Sequence, residues 1–187
     1  MNMITLPSVQ IDSCVDHDAP VRDLWMRIST FQLDDETASL PFSKRLAREN
    51  GWSRQFACRV VREYKKFCFI AITAKHGVTP SDDVDQAWHL HLLYTRSYWD
   101  GFCAHALGRP LHHGPTRGGN DESSKFRRWY GDTLRSYQQI FGPPPGDIWP
   151  DVETRFAPGT SFRRVNLRDY WLLPKPRFRH VPPRTVT

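Results

Sequence analysis

Residues 67–72 read Phe-Cys-Phe-Ile-Ala-Ile and are apolar on every side of the helix that they would form. They lie near the end of a longer helical pattern over residues 52–75, in which Phe56, Val60 and Tyr64 recur on one face. A helix end that is apolar all round is usually buried in the middle of a protein. We therefore expect the helix over residues 52–75 to run through the core.

Five further segments carry the signals of helix ends, which are a capping residue or proline at the start and glycine or proline after the end. The first combines Asp18 as a cap and Pro20 with an apolar stripe at Leu24, Trp25 and Ile28. The others begin at Pro41, Thr79, about Thr95 and Asp121, and they end before Gly51, near Tyr94, before Gly108 and before Gly142.

The helix that begins near Thr79 carries most of the candidate site. We expect Thr79 to be its N-cap, with Pro80 at the first helical position. Asp82 and Asp83 then fall in the first turn, where the helix dipole stabilises carboxylates. This start predicts that the residues from Asp85 onward are helical.

The six helices predict an all-α fold, a compact bundle with an irregular basic C-terminal tail, because no convincing alternating strand pattern accompanies them. We assign residues 18–150 to the helical domain and residues 1–17 to an irregular lead-in. Residues 151–187 form a tail rich in basic, aromatic and proline residues, with short extended pieces expected at 161–165 and 170–173.

Charge is unevenly distributed along the chain. The formal net charge is +6, and residues 151–187 hold eight Lys and Arg residues against three Asp and Glu residues. Any anionic partner is therefore expected to bind at the tail. A second functional hypothesis is a non-catalytic interaction module, in which the arginines and aromatics of the tail contact a protein, a membrane surface or nucleic acid. The alternative, which we favour, is that these aromatics pack onto the bundle, because so much apolar area is seldom left in water.

Composition also indicates where the chain operates. No stretch approaches the ~18 to 20 apolar residues that a membrane span needs, and residues 1–16 lack the pattern of a secretory signal. We expect a cytoplasmic protein with no transmembrane segment. The four cysteines are widely spaced and include no CxxC pair, which favours buried free thiols over a disulfide framework.

The stretch Asp-Gln-Ala-Trp-His-Leu-His-Leu-Leu at residues 85–93 concentrates the side chains able to do chemistry. Asp85 and His89 are one helical turn apart and share a face, whereas His91 points about 200° away from His89. His91 can join them only if the helix is distorted or if other segments converge around it. A loop supplies two more imidazoles, His112 and His113.

Imidazole and carboxylate suit a divalent metal such as zinc or iron. We therefore predict a site that binds a divalent metal or a small polar ligand. The alternative is that His89 and His91 are interior residues bonded to the backbone or to Asp85. Cys103 is more easily read as a buried thiol than as a nucleophile. We interpret the loop over residues 114–119 as a flexible connection, with an anion-binding site as the alternative.

Three segments resemble the glycine-rich domain-containing protein family of plants and bacteria. They are D-x-x-W-H-x-H at residues 85–91, the pair Tyr98-Trp99, and the L-G-x-x-L-x-H segment at residues 107–113, within a resemblance that spans about residues 41–141. The family pattern implies a helix break near residue 95 and matches its later histidine to His113 rather than to His112. It implies that Asp85, Trp88, His89, His91 and His113 form one functional cluster, without naming a reaction. We therefore predict Asp85, His89, His91 and His113 as metal ligands. The predicted binding residues around them are Trp88, Tyr98, Trp99, Arg109 and His112.

Overall fold

A computed structural model describes residues 19–114 and 118–157. Within these ranges the chain forms six α-helices and one π-helix, with no strand, so the predicted all-α bundle is confirmed. The elements are α1 (Ala19–Thr30), α2 (Phe42–Asn50), α3 (Arg54–Thr73), α4 (Asp82–Leu93), the π-helix (Arg96–Leu107), α5 (Asn120–Phe141) and α6 (Val152–Arg155).

Helix α3 is the centre of the bundle. It contacts α1, α2, α4, the π-helix and α5. Its last turns are buried as expected, since Phe67, Cys68, Phe69 and Ile70 are each at most 2% exposed. The all-round apolar character of this helix end is therefore explained by neighbours on every side.

The other helix boundaries follow their local signals closely. The apolar stripe of α1 is buried at Leu24, Trp25 and Ile28. Helix α2 ends at Gly51, whose φ of 67° lies in the left-handed region that glycine adopts without strain. Gly108 closes the π-helix in the same way, with φ of 73°.

The predicted start of α4 is wrong by two residues. The N-cap is Ser81, whose hydroxyl accepts a hydrogen bond from the N–H of Val84, and the helix begins at Asp82. Thr79 lies before the helix, and its N–H donates to Oγ1 of Thr133 on α5. The expectation that acidic side chains occupy the first turn holds, with Asp82 and Asp83 there.

The chain turns sharply after α4. Tyr94 leaves the helical region at φ −88° and ψ 61°, and Arg96 then begins the π-helix. The sequence predicted this break and the end at Leu107, but the wider π geometry was not expected. After the π-helix, residues 108–114 return to α4, since Tyr98 hydrogen-bonds both Leu111 and Trp88 of α4.

A buried polar network fastens α3 to the C-terminal part of the described chain. The carboxylate of Glu63 accepts hydrogen bonds from Tyr137 Oη at 2.7 Å and Trp149 Nε1 at 3.0 Å. Lys66 Nζ lies 3.0 Å from the other Glu63 oxygen. This buried carboxylate is therefore paired and hydrogen-bonded, as burial of a charge requires.

Several expectations concern residues outside the described ranges. They are the irregular lead-in, most of the basic tail and its extended pieces. Within the described ranges Cys68 and Cys103 are buried free thiols and Cys58 is a half-buried one. None of the helices described is both long and apolar enough to cross a membrane.

Candidate metal centre

The candidate site begins on one face of α4. Asp85 stands on the first turns of the helix, where its N–H donates to the carbonyl of Ser81 at 2.9 Å. His89 is one turn further along, and its Nδ1 lies 3.6 Å from Oδ2 of Asp85. Regular helical geometry alone brings these two side chains together, because neither backbone nor rotamer distortion is needed at i, i+4.

The third member comes from the loop that follows the π-helix. His113 Nε2 lies 2.8 Å from Oδ1 of Asp85, and its ring centroid lies 4.4 Å from that of His89. One ligand atom from each of the three residues lies within 4.8 Å of the others, so the group could hold a metal ion. Ligand atoms around a bound zinc ion lie about 3 to 3.5 Å apart, given bonds of about 2.0 to 2.2 Å, so a small inward shift would suffice.

Two aromatic side chains fix the loop that carries His113. Trp88 Nε1 donates to Tyr98 Oη at 2.9 Å, and Tyr98 Oη donates in turn to the carbonyl of Leu111. The Trp88 ring also packs edge-on against His113, with centroids 4.5 Å apart. Trp88 and Tyr98 therefore connect α4, the π-helix and the loop at the point where the three candidate ligands meet.

The structure does not bring His91 into this cluster. His91 is fully buried on the opposite side of α4, where its Nδ1 lies 3.0 Å from Tyr64 Oη and its Nε2 lies 3.2 Å from Ser97 Oγ. Burial lowers the pKa of His91 to about 3. The cause is that α4 stays regular, so the separation of about 200° between His89 and His91 persists. The reading of His91 as an interior, hydrogen-bonded histidine fits this position.

The remaining predicted residues border the cluster at different distances. Trp99 and His112 pack together with ring centroids 5.3 Å apart, and His112 also lines the cleft beside His113. Arg109 is exposed and does not line that cleft. Tyr98 is fully buried, so it supports the site through its hydrogen bonds and does not line the cleft.

The cluster opens onto a cleft of about 1120 Å³. Its far wall comes from the second half of the bundle, which the sequence did not connect with the histidines. The sequence predicted α5 only as a helix from Asp121 to the residue before Gly142, and α6 lies in what was predicted to be the tail. The residues of this wall are Glu122, Ser123, Lys125, Phe126, Trp129, Arg155 and Phe156.

Two features of the cleft follow from packing that no local pattern signals. Gly77 lets Trp129 approach closely, because a Cβ atom on Gly77 would lie 2.0 Å from the indole ring. Arg155 is held to Asp82 of α4 by a contact of 2.8 Å between Nη2 and Oδ1. A glycine after α3 and an arginine on α6 could therefore be recognised as part of the site only in three dimensions.

The alternative chemistries receive less support from the geometry. Cys103 is buried, and burial raises the pKa of its thiol, which disfavours the thiolate that a nucleophile needs. Gly114, Gly118 and Gly119 line the cleft, while residues 115–117 of the same loop lie outside the described ranges. The expected anion site in that loop therefore stays a prediction.

Comparison with known proteins gives two matches. A model of the UCP032817-like family matches residues 27–131, which is more than half of the chain and includes the three clustered residues. Glycine-rich domain-containing protein 1 of Arabidopsis thaliana is 27% identical over 107 residues. That match covers 54% of this chain and only 13% of the plant protein, so the chain corresponds to a small part of that relative. No solved structure matches the chain.

Proposed function

Because the chain belongs to the UCP032817-like family, and the matched segment brings Asp85, His89 and His113 together, we propose that these three residues bind one divalent transition-metal ion. The observation that carries the proposal is the convergence of two imidazoles and one carboxylate from separate elements. Their ligand atoms lie within 4.8 Å of one another at the edge of a large cleft.

The donor set favours zinc or ferrous iron. Two histidines and one carboxylate are the protein ligands of many catalytic zinc sites and of non-haem iron(II) sites. Calcium and magnesium prefer oxygen ligands, and copper(I) prefers sulfur, so the two imidazoles argue against these ions. Among the described residues, no cysteine belongs to the group of side chains that could hold the ion, which consists of Asp85, His89 and His113.

Asp85, His89 and His113 would hold the ion, and three protein ligands would leave it able to bind water or a further ligand. An ion held there supplies Lewis-acid chemistry, in which it polarises a water molecule or an oxygen atom of a ligand. The chain's own contribution is to orient the ligands. The packing of Trp88 sets the angle of the His113 ring. An ion bound through His113 Nε2 would replace the contact of 2.8 Å with Asp85 Oδ1, because a ring nitrogen that donates a hydrogen bond to a carboxylate cannot also be a metal ligand.

The competing explanation is that the cluster is a hydrogen-bonded group, possessing no ion, that binds a small polar molecule. The contact between Asp85 and His113 satisfies both groups without a metal, and the half-exposed His89 needs no partner. The two explanations differ in one measurable respect. Only the metal site makes stoichiometric ion content depend on His89 and His113 together.

The experiment compares metal content in matched variants of the full chain. Wild type, His89→Ala, His113→Ala and His112→Ala are purified without chelators, then reconstituted with zinc, or with iron(II) under anaerobic conditions, and analysed by elemental mass spectrometry. His112→Ala is the control, because it removes an exposed imidazole from the same loop and leaves the cluster intact. We expect about one ion per chain in wild type and in the control, and a much lower ion content in the other two, because each lacks one of the three ligands. Equal ion content in all four proteins, or none in wild type, would overturn the proposal.

A further inference from the structure

We propose that the cleft beside the metal centre binds a small organic anion, a carboxylate or a phosphate ester, that carries a flat aromatic part. The inference rests on the proposed metal site, because the ion supplies the net positive charge of the cleft. It goes further by assigning a chemical class of ligand to the wall formed by α5 and α6.

The first argument is charge. Among the described residues that line the cleft, the carboxylates of Asp85 and Glu122 are balanced by Lys125 and Arg155. A divalent ion at the cluster therefore gives these lining groups a net charge of about +2 when the imidazoles are neutral, or about +1 when Asp82, which pairs with Arg155, is counted with them. A partly enclosed site with that excess favours an anion over a neutral molecule of the same shape.

The second argument is position. Arg155 contacts Asp82, which precedes Asp85 by three residues on α4 and therefore lies about 4.5 Å from it along the helix axis. The guanidinium therefore contacts the same helix that carries Asp85 and His89, and it lines the same cleft. Lys125 stands on α5 with its Nζ 2.5 Å from Glu122 and 5.0 Å from the centre of the Trp129 ring. One anionic group can therefore face a cation of the wall while the rest of the ligand lies beside the metal.

The third argument is an incomplete set of hydrogen bonds. Among the described residues, two buried side-chain atoms have no hydrogen-bond partner, Oγ1 of Thr79 and Nε of Arg155. Both residues line this cleft, and Thr79 is only 8% exposed. Buried polar groups are nearly always paired in folded proteins. These two atoms lie on opposite sides of the cleft, before α4 and on α6, and they leave hydrogen-bonding capacity that a polar ligand could use after a small shift of the side chains.

The fourth argument is shape. Phe126, Trp129 and Phe156 line the same cleft as the charged groups. Trp88 also lines the cleft, and its ring packs against that of His113. Flat rings of this kind bind flat apolar groups. A volume of about 1120 Å³ also far exceeds what a bare inorganic ion fills, and it suits a small organic ligand.

The test measures binding of four probes to the zinc-reconstituted full chain by isothermal titration calorimetry, with metal content determined on each sample. Phenyl phosphate and benzoate carry both an anion and a ring, benzyl alcohol carries only the ring, and inorganic phosphate carries only the anion. We expect phenyl phosphate or benzoate to bind at least tenfold more tightly than benzyl alcohol and inorganic phosphate. Which of the two binds better distinguishes a phosphate ester from a carboxylate.

Substitutions of the two cations of the wall test whether they bind the anion. Lys125→Met keeps the apolar stem and removes the charge, and Arg155→Gln keeps a hydrogen-bond donor. Each should weaken binding of the better aromatic anion at least fivefold, while benzyl alcohol binding and zinc content stay unchanged. Arg59→Gln is the matched control, because its arginine pairs with Asp147 and does not line the cleft.

The outcomes separate this proposal from the metal site. Stoichiometric zinc with equal affinity for phenyl phosphate, benzoate and benzyl alcohol would overturn the anion proposal and leave the metal site standing. A protein that retains no zinc, yet prefers the aromatic anions and loses that preference in Lys125→Met, would overturn the metal site and support the anion-binding wall. No zinc and no preference would overturn both.

Discussion

Trp88 Nε1 donates a hydrogen bond to Tyr98 Oη over 2.9 Å, although the two residues stand on different helices on either side of the break at Tyr94. Because Tyr98 Oη passes a hydrogen bond on to the carbonyl of Leu111, the pair holds the returning loop against α4. His113 lies two residues beyond that carbonyl. The geometry of the candidate metal centre therefore depends on a hydrogen-bond chain that contains no candidate ligand.

The substitution Tyr98→Phe tests this dependence. It leaves Trp88 Nε1 and the Leu111 carbonyl without a partner in the interior, which should lower the free energy of unfolding by ~1 to 3 kcal/mol. Loss of support for His113 should also weaken zinc binding ~10-fold or more, as outer-shell substitutions generally do. Chemical denaturation and competitive zinc titration measure the two effects.

Tyr130→Phe provides the control for that experiment. Tyr130 is also fully buried, and its hydroxyl donates to the carbonyl of Pro150 at 2.7 Å, away from the three ligands. A similar loss of stability with unchanged zinc affinity is expected. If both variants weaken zinc binding equally, Tyr98 has no special connection with the site.

A second prediction concerns pH and the buried His91. Burial lowers the pKa of His91 to about 3, whereas an unfolded histidine titrates near ~6.5. Between these values the unfolded chain binds a proton that the folded chain does not, so acidification from pH 7 should destabilise the protein by up to ~1.4 kcal/mol per pH unit through this residue. In His91→Gln this contribution disappears. As the pH falls from 7 to 5, the free energy of unfolding should therefore decrease less in the variant than in wild type.

The same variant separates His91 from the metal centre. Its ring nitrogens face Tyr64 and Ser97, so a folded His91→Gln protein should bind zinc as wild type does. A loss of zinc without a loss of stability would instead return His91 to the ligand set.

Asp83 gives a pH dependence of the opposite sign. Burial, and then its neighbours Asp82 and Asp147, raise the pKa of Asp83 to about 6, above the ~3.9 of an unfolded aspartate. The charged form is therefore destabilising in the folded protein above pH 6, and this penalty fades as the pH falls towards 4. Asp83→Asn should stabilise the protein by ~1 kcal/mol at pH 7, a value reduced for partial solvent screening. The gain should vanish near pH 4 in denaturant titrations, and a gain that persists there would have another cause.

The parts of this protein that sequence predicted are those decided by neighbouring residues. The stripe at Leu24, Trp25 and Ile28, the glycine at position 51 and the proximity of Asp85 to His89 each follow from one turn of helix. The choice between Thr79 and Ser81 as N-cap could not be predicted in this way. Both residues satisfy the local rule. In the fold Ser81 supplies the capping hydroxyl, while Thr79 contacts Thr133, which is 54 positions away.

The cleft was missed for the same reason. Its histidine side was concentrated in one stretch of sequence, while the opposite wall depends on how α5 and α6 pack against α4. Lys125 and Trp129 on an amphipathic stripe look like any core-facing helix, and Arg155 looked like part of a basic tail. A site residue can be distinguished from a core residue in the sequence only when both walls of the cleft are formed by the same segment.

The closest packing in the cleft wall yields the last prediction. A Cβ atom on Gly77 would lie 2.0 Å from the Trp129 ring, far inside van der Waals contact, so Gly77→Ala forces the indole to move. Such overpacking should lower the free energy of unfolding by ~1 to 3 kcal/mol, and it should also change the near-UV circular dichroism because Trp129 leaves its present orientation.

Gly131→Ala is the matched control, since its new methyl group would meet its neighbours at 3.7 Å, an ordinary contact, in the middle of α5. There the alanine should stabilise the helix by ~0.5 to 1 kcal/mol, because glycine is the poorer helix former. If Gly77→Ala instead leaves both stability and spectrum unchanged, Trp129 does not pack over Gly77, and the aromatic wall of the cleft is arranged differently from the structure described.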